Sequence, residues 1–241
     1  MDDTIITIKD LNVAYQDKPA LWHINLDIRK NGRTAIVGPN GAGKSTMIKT
    51  MMKLIRPVSG RIEIDGRTDK GVLKNIAYVP QKGEVNWDFP ATVLDVVLMG
   101  RYVHKGWIKR PQKKDREIAL EALKTMKMEA FCDRQISELS GGQRQRAFLA
   151  RAIAQDADIY VMDEPLQGID ITTENLIMDV IRKLQTEGKT FIVVHHQLNT
   201  VKEYFDHVVI MNKTIIADGP TDAVFTGENI EKAYREKGVS V

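Results

Sequence analysis

Gly38-Pro39-Asn40-Gly41-Ala42-Gly43-Lys44-Ser45 is the stretch on which the fold turns. It fits G-x-x-x-x-G-K-[ST], and its flanks fit as well. Residues 34–37 form a short β-branched and apolar run that stops at Gly38, and Met47, Ile48, Met51, Leu54 and Ile55 recur at helical spacing until Pro57. Strand, glycine loop and helix in that order make an anion cradle. The glycines let backbone N–H groups curl inward around phosphate oxygens, and the helix points the positive end of its dipole at them. Within the loop and just after it, Lys44 is placed to reach the β- and γ-phosphates of a nucleoside triphosphate. The Ser45 hydroxyl is placed to ligate Mg²⁺, and Thr46 to sit near the α-phosphate.

Outward from the loop, residues 5–11, 61–64 and 75–79 read as strands, with Asp65-Gly66 as a turn and Pro80-Gln81 ending the last of them. Between about Trp87 and Glu138 the pattern becomes helical, with Ala119, Leu123, Met126 and Ala130 on one face. Strand signals resume at 159–162, 190–194 and 208–211, separated by helical stretches such as 176–184. An α/β core with a parallel sheet and an inserted helical segment is the expectation. The tail after Ile216 is short, and neither repeats nor low-complexity tracts appear.

With 241 residues, 43% of them apolar, the chain is long enough to bury one large core. It has no run near the roughly 18 apolar residues of a membrane span, so a membrane role must come through a partner. No secretory signal is visible at the N-terminus, and the single cysteine, Cys132, cannot close an internal disulfide; a cytosolic protein is expected. A net charge of +3 favours no nucleic-acid partner.

Leu139-Ser140-Gly141-Gly142-Gln143 is followed by a helical stretch and then by Ile159-Tyr160-Val161-Met162-Asp163-Glu164. The first string resembles the signature of the ABC ATPases and the second their Walker B strand, in that superfamily's order and spacing. The resemblance implies a P-loop NTPase core of ABC ATPase type with an N-terminal antiparallel β subdomain and an inserted helical subdomain. On that pattern residues 1–86 and 139–215 form the catalytic core, 87–138 the helical subdomain and 216–241 a short C-terminal segment. A serine at a helix N-terminus, with glycines allowing close approach, makes a second anion site. In the family, that site closes on the ATP held by the phosphate loop of another copy, so a two-fold homodimer is implied and a lone subunit is nearly inactive.

Further roles follow from the same resemblance. Asp163 holds Mg²⁺ through water, Glu164 is the general base, and Gln81 contacts Mg²⁺ and the attacking water. Tyr15 resembles the aromatic that stacks on adenine, and Asp170 is the strongest match to the D-loop, from which Gln167 and Gly168 depart. The family's switch histidine lies at His195 or His196; His196, before Gln197-Leu198, is assigned that role against a usual His-Asp-Leu, and His195 a structural one. ATP and Mg²⁺ are the implied cofactors.

Val79-Pro80-Gln81, Val85-Asn86-Trp87-Asp88-Phe89-Pro90 and the run from Leu94 to Arg101 resemble bacterial manganese and zinc importer ATPases, as do Arg134-Gln135-Ile136-Ser137, the double histidine and Gly219-Pro220-Thr221. This implies a motor at the cytoplasmic membrane face, docked on integral-membrane permease subunits and served indirectly by an extracytoplasmic metal-binding protein. Manganese is favoured, with zinc, iron or iron-siderophore as alternatives and a non-transport ABC ATPase as the rival from another class. Met47, Met51 and Met52 are expected in the core rather than at a metal, and the basic run Lys105, Lys109, Arg110, Lys113, Lys114 and Arg116 on a solvated face.

Overall fold

The computed structural model describes residues 3–16, 18–81, 90–105 and 110–235. Val85 to Phe89, part of the strings quoted for the importer resemblance, lie outside them, as does Lys109. The chain forms two compact units, Met1–Val72 with Ile192–Val241, and Leu73–Phe191.

In the first unit β1 (Thr4–Tyr15) pairs antiparallel with β2 (Lys18–Arg29) on one side, and a later strand completes a three-stranded sheet. The alternation read at residues 5–11 marks only half of β1, and β2 was not anticipated from the sequence. Its Leu21, Ile24, Leu26 and Ile28 are buried, which supplies the sheet's apolar face. β3 (Arg33–Val37) is buried from Thr34 onward and leads into the glycine loop and α1 (Lys44–Met51). The spacing that extended this helix to Ile55 is overruled by local geometry: Lys53 adopts a left-handed φ of 55°, and Leu54 is 66% exposed. Met47 and Met51 are fully buried, while Met52 caps the helix end half-buried. β4 (Ser59–Ile64) is the strand that joins β1, and Asp65-Gly66, both at positive φ, close a two-residue turn in which Ile64 and Arg67 exchange backbone hydrogen bonds.

In the second unit β5 (Ile76–Val79) runs parallel to a later strand, pairing Ile76 with Ile159 through Val79 with Met162. The helices that follow are α2 (Val93–Leu98), α3 (Tyr102–Lys105), α4 (Lys113–Thr125) and α5 (Gly141–Gln155). Thr92 and Asp95 form a reciprocal capping box at the start of α2. Ala119, Leu123 and Met126 are buried as expected, but Ala130 is exposed because α4 stops at Thr125 and Lys127 turns left-handed. Of the basic run, Arg110, Lys113, Lys114 and Arg116 are exposed. The strand beside β5 is β6 (Ile159–Asp163), buried at every position as a parallel strand covered on both faces should be. α6 (Ile171–Thr186) follows, and Tyr160 stacks on Phe191 at 4.9 Å.

β7 (Thr190–Val194) carries the chain back into the first unit. There α7 (Val201–Tyr204) precedes β8 (His207–Asn212), which lies parallel to β3 and antiparallel to β9 (Thr214–Pro220). β9 crosses the boundary expected at 216, so the first residues of the C-terminal segment belong to the sheet. Beyond it lie α8 (Thr221–Val224) and α9 (Gly227–Tyr234), the latter anchored where Asn212 Nδ2 donates to Ala233 O at 2.8 Å. No helix among the described residues is long and apolar enough to cross a membrane.

Candidate nucleotide site

The phosphate loop takes its shape from two contacts that tolerate no side chain. A Cβ on Gly38 would lie 2.1 Å from Met211 O, and one on Gly43 would lie 2.8 Å from Ala20 O. Gly43 also sits at φ 91°, a left-handed conformation that glycine adopts without steric cost. The turn between β8 and β9 braces the loop through Lys213 N, which donates to Ala42 O at 2.8 Å. Lys44 is buried, and its Nζ donates to Gly38 O at 2.8 Å and Pro39 O at 2.9 Å, so its charge lies over the loop.

The N-terminus of α1 has no side-chain cap and no acid in its first turn. α5, α6 and α9 are capped by Ser140, Asp170 and Thr226. An uncapped helix start presents N–H donors and the positive dipole end to an anion, which suits this loop to polyphosphate. Tyr15, 50% exposed, places its hydroxyl 3.4 Å from Thr46 Oγ1, beside the start of α1.

His195 and His196 belong to this same unit and differ in setting. His195 is 3% exposed; its Nε2 meets Thr200 Oγ1 at 2.7 Å, and its ring packs on Phe205 and Tyr204. Burial holds its pKa down at about 4, so the ring is neutral at neutral pH. His196 is half-buried. The unfolded chain takes up the His195 proton near pH 6.5 but the folded chain only near pH 4, so stability is lost as pH falls through that window. The loss is on the order of 3 kcal/mol. In His195→Gln the acid-induced fall in melting temperature between those two pH values should shrink correspondingly, a comparison that thermal melts of both proteins make directly.

In the second unit Asp163 ends β6 fully buried, and Glu164 follows at φ 54°. A left-handed non-glycine residue costs on the order of 1–3 kcal/mol and is held only where its surroundings dictate it. Here the turn aims the carboxylate at Gln81, whose Nε2 donates to Glu164 Oε2 at 2.9 Å. The structure thus brings together two residues 83 apart in the chain that the sequence assigned separately to the reacting water.

Ser140 caps α5: its hydroxyl accepts from Gln143 N at 3.3 Å while Gln143 Oε1 accepts from Ser140 N at 2.9 Å. This is an S-x-x-Q capping box, readable in the sequence but not read there. Asp170 likewise caps α6, accepting from Thr173 N at 2.9 Å and Thr173 Oγ1 at 2.8 Å, and these bonds lower its pKa. A Cβ on Gly142 would lie 3.9 Å from Asp170 Oδ2, so the signature and the D-loop carboxylate are neighbours within one chain. Among the described residues no group of three or more His, Cys, Asp or Glu side chains gathers as a metal site.

Comparison with known proteins agrees with these features. The family model described as ABC transporter matches residues 21–167. The zinc transport system ATP-binding protein TroB of Treponema pallidum (strain Nichols) is 51% identical over 229 residues, covering 95% of this chain and 86% of that protein. The manganese transport system ATP-binding protein MntB of Bacillus subtilis (strain 168) is 50% identical over 229 residues, covering 95% and 92%. Among solved structures, the dimeric bacterial ABC transporter cassette MJ0796 superposes with a TM-score of 0.79 at 28% identity, covering 90% of this chain and 98% of that one. A glycine loop at an uncapped helix, a strand ending in Asp163-Glu164 and a capped signature helix thus coincide with a family match over most of the chain, which belongs to the ABC transporter family as an ATP-binding, ATP-hydrolysing subunit.

Proposed function

We propose that this subunit powers import of a divalent transition-metal ion, manganese first, as one of two copies docked on a membrane permease at the cytoplasmic face. The observation that carries the reading is identity of about half across 95% of the chain to MntB, whose name gives manganese transport. Zinc is the second reading, favoured by equal identity to TroB. An extracytoplasmic metal-binding protein delivers the ion, and the permease, not this chain, holds it in transit.

The chemistry assigned to the chain is that of an ATPase. The loop Gly38 to Ser45, with Pro39, Asn40, Gly41 and Ala42 between the anchoring glycines, binds the phosphates; Lys44 meets their β- and γ-oxygens and Thr46 lies near the α-phosphate. Tyr15 stacks on adenine, its half-exposed ring lying beside the start of α1 with its hydroxyl near Thr46. On the family resemblance, the Ser45 hydroxyl, the Asp163 carboxylate and the Gln81 amide oxygen would hold Mg²⁺, being hard oxygen ligands of the kind that ion takes, and the ion would supply neutralisation of phosphate charge. Glu164 accepts the proton of the attacking water and His196 contacts the γ-phosphate.

Two copies close head to tail, so that Ser140, Gly141, Gly142 and Gln143 of one meet the ATP of the other and Asp170 lies at the seam. The dimeric cassette among the solved structures supports this arrangement. The Ser140 hydroxyl gives up only a 3.3 Å bond to turn toward a phosphate, a long N–H···O contact that costs little to exchange. ATP drives closure because it binds the closed dimer more tightly than the open one.

The test is uptake of manganese, zinc and iron, traced in parallel, by cells carrying Glu164→Gln against cells carrying the unaltered chain. Manganese uptake alone should fall to background. A fall confined to zinc moves the cargo to the second reading, and unchanged uptake of all three, with the variant shown to bind ATP, sinks metal import altogether.

A further inference from the structure

β5 is an edge strand, and its outer row of carbonyls has to find donors somewhere. Asp158 N donates to Asn75 O at 3.2 Å, so the carbonyls of 75, 77 and 79 face β6 and those of 76 and 78 face away. The outward pair is met by two side chains of the signature helix. Gln155 Nε2 donates to Ile76 O at 2.7 Å, and Arg151 Nη2 donates to Tyr78 O at 3.0 Å.

The match has a geometric basis. Two residues along a strand advance about 6.6 Å and four along a helix about 6 Å, so rungs at i, i+2 on β5 meet rungs at i, i+4 on α5. The helix is held tightly enough to keep that register. A Cβ on Gly100 would lie 2.3 Å from Arg151 O, Arg101 Nη1 donates to Ala154 O at 2.7 Å, and His104 Nε2 lies 2.6 Å from Gln155 O. The Arg151 guanidinium stacks over Phe148 at 4.6 Å, and its burial, which pulls its pKa down, is accepted for a bond to a backbone carbonyl rather than to an acid.

Position runs in opposite senses along the pair: 76 and 78 on the strand meet 155 and 151 on the helix. Continued in that direction, α5 reaches the signature at its start, and β5 ends at Val79, two residues before Gln81. The last rung on the strand is Tyr78 O, three residues before Gln81. Gln81 thus follows closely on the clamped strand, and its amide reaches Glu164.

We infer that Arg151 and Gln155 lock the signature helix and the strand that leads into Gln81 into one rigid piece, with Arg151 the positioning residue for Gln81. A displacement imposed on Ser140 to Gln143 by nucleotide is delivered along this piece to the Gln81 amide and so to Glu164. The inference rests on the reading of Gln81 as a residue acting at the reacting water.

A double-mutant cycle on ATP turnover by the purified full-length chain tests it: unaltered, Arg151→Met, Gln81→Ala, and both. Each single change should lower kcat about tenfold, and the double should fall no further than Gln81→Ala, within about twofold, because both act on one element. The KM for ATP of Arg151→Met should stay within about twofold of the unaltered chain, and Arg151→Lys, which keeps a cationic donor, should recover most of the loss. Losses that multiply to about a hundredfold in the double, or an Arg151→Met chain with unaltered kcat, overturn the clamp alone. Unaltered turnover in Gln81→Ala overturns the reading of Gln81 and the positioning role with it. If Arg151→Met does not fold by circular dichroism, Gln155→Leu removes the other rung and carries the same cycle.

Discussion

Glu164→Gln should cut ATP turnover by roughly 10²–10⁴-fold, the range in which a positioned general base contributes, while leaving ATP affinity within a few-fold. The amide matches the carboxylate in size and can turn its oxygen toward Gln81 Nε2, so the 2.9 Å bond between these residues has a counterpart in the variant. The backbone is equally strained in both proteins, because the φ of 54° at this position is set by the turn and not by the side chain. What disappears is the capacity to take a proton from water. Phosphate release measured beside a nucleotide-binding titration separates the two effects. Turnover within about threefold of the unaltered chain would mean that another group is the base, and His196 would be the next to replace. The same variant should accumulate the ATP-bound dimer, seen as a doubling of mass by light scattering, since closure needs binding and reopening needs hydrolysis.

How far such expectations could be drawn from the sequence depended on whether a motif states its own geometry. The phosphate loop does: Gly38 and Gly43 are required by contacts with Met211 O and Ala20 O, and the lysine and serine follow at fixed spacing. β3, β6 and β7 were legible because strands buried on both faces read as unbroken apolar runs. β2 was missed because its inward residues alternate with Trp22, His23, Asn25 and Asp27, a half-buried pattern spread over twelve residues with His23 at a left-handed φ. The ends of α1 and α4 were overrun because apolar residues continued past left-handed Lys53 and Lys127, which no periodicity reveals. The double role of Asp170 and Ser140 as helix caps was within reach, since S-x-x-Q and an Asp before a helical run are capping signals in their own right. Arg151 and Gln155 were not: the helical spacing of two polar residues says nothing of the strand whose carbonyls they meet.

Gly38→Ala should be strongly damaging to the nucleotide loop of the first unit. The added methyl would lie 2.1 Å from Met211 O, a backbone atom at the end of β8 that cannot rotate away, and 3.2 Å from the Ala42 side chain. Relief requires either the loop or the β8–β9 turn to move, and the two are tied together by the 2.8 Å bond from Lys213 N to Ala42 O. Moving the turn also strains Asn212, which holds α9 through Ala233 O. Forced overpacking of this kind costs roughly 3 kcal/mol, which for a chain of this size lowers Tm by about 6–12 °C. Nucleotide binding should suffer more than stability, because Lys44 Nζ is oriented by Gly38 O and Pro39 O, and a loop displaced by even an ångström mispositions charge and N–H donors together. A loss of ATP affinity of about a hundredfold or more is expected, read by titration below the lowered Tm so that unfolded protein does not contribute. Gly41→Ala is the matched control: a Cβ there meets nothing within 4 Å, and its cost is confined to the left-handed φ of 78°. If the two alanines weaken ATP equally, loop flexibility rather than the Met211 contact sets the cradle; if Gly38→Ala is much the worse, the end of β8 is part of the nucleotide site.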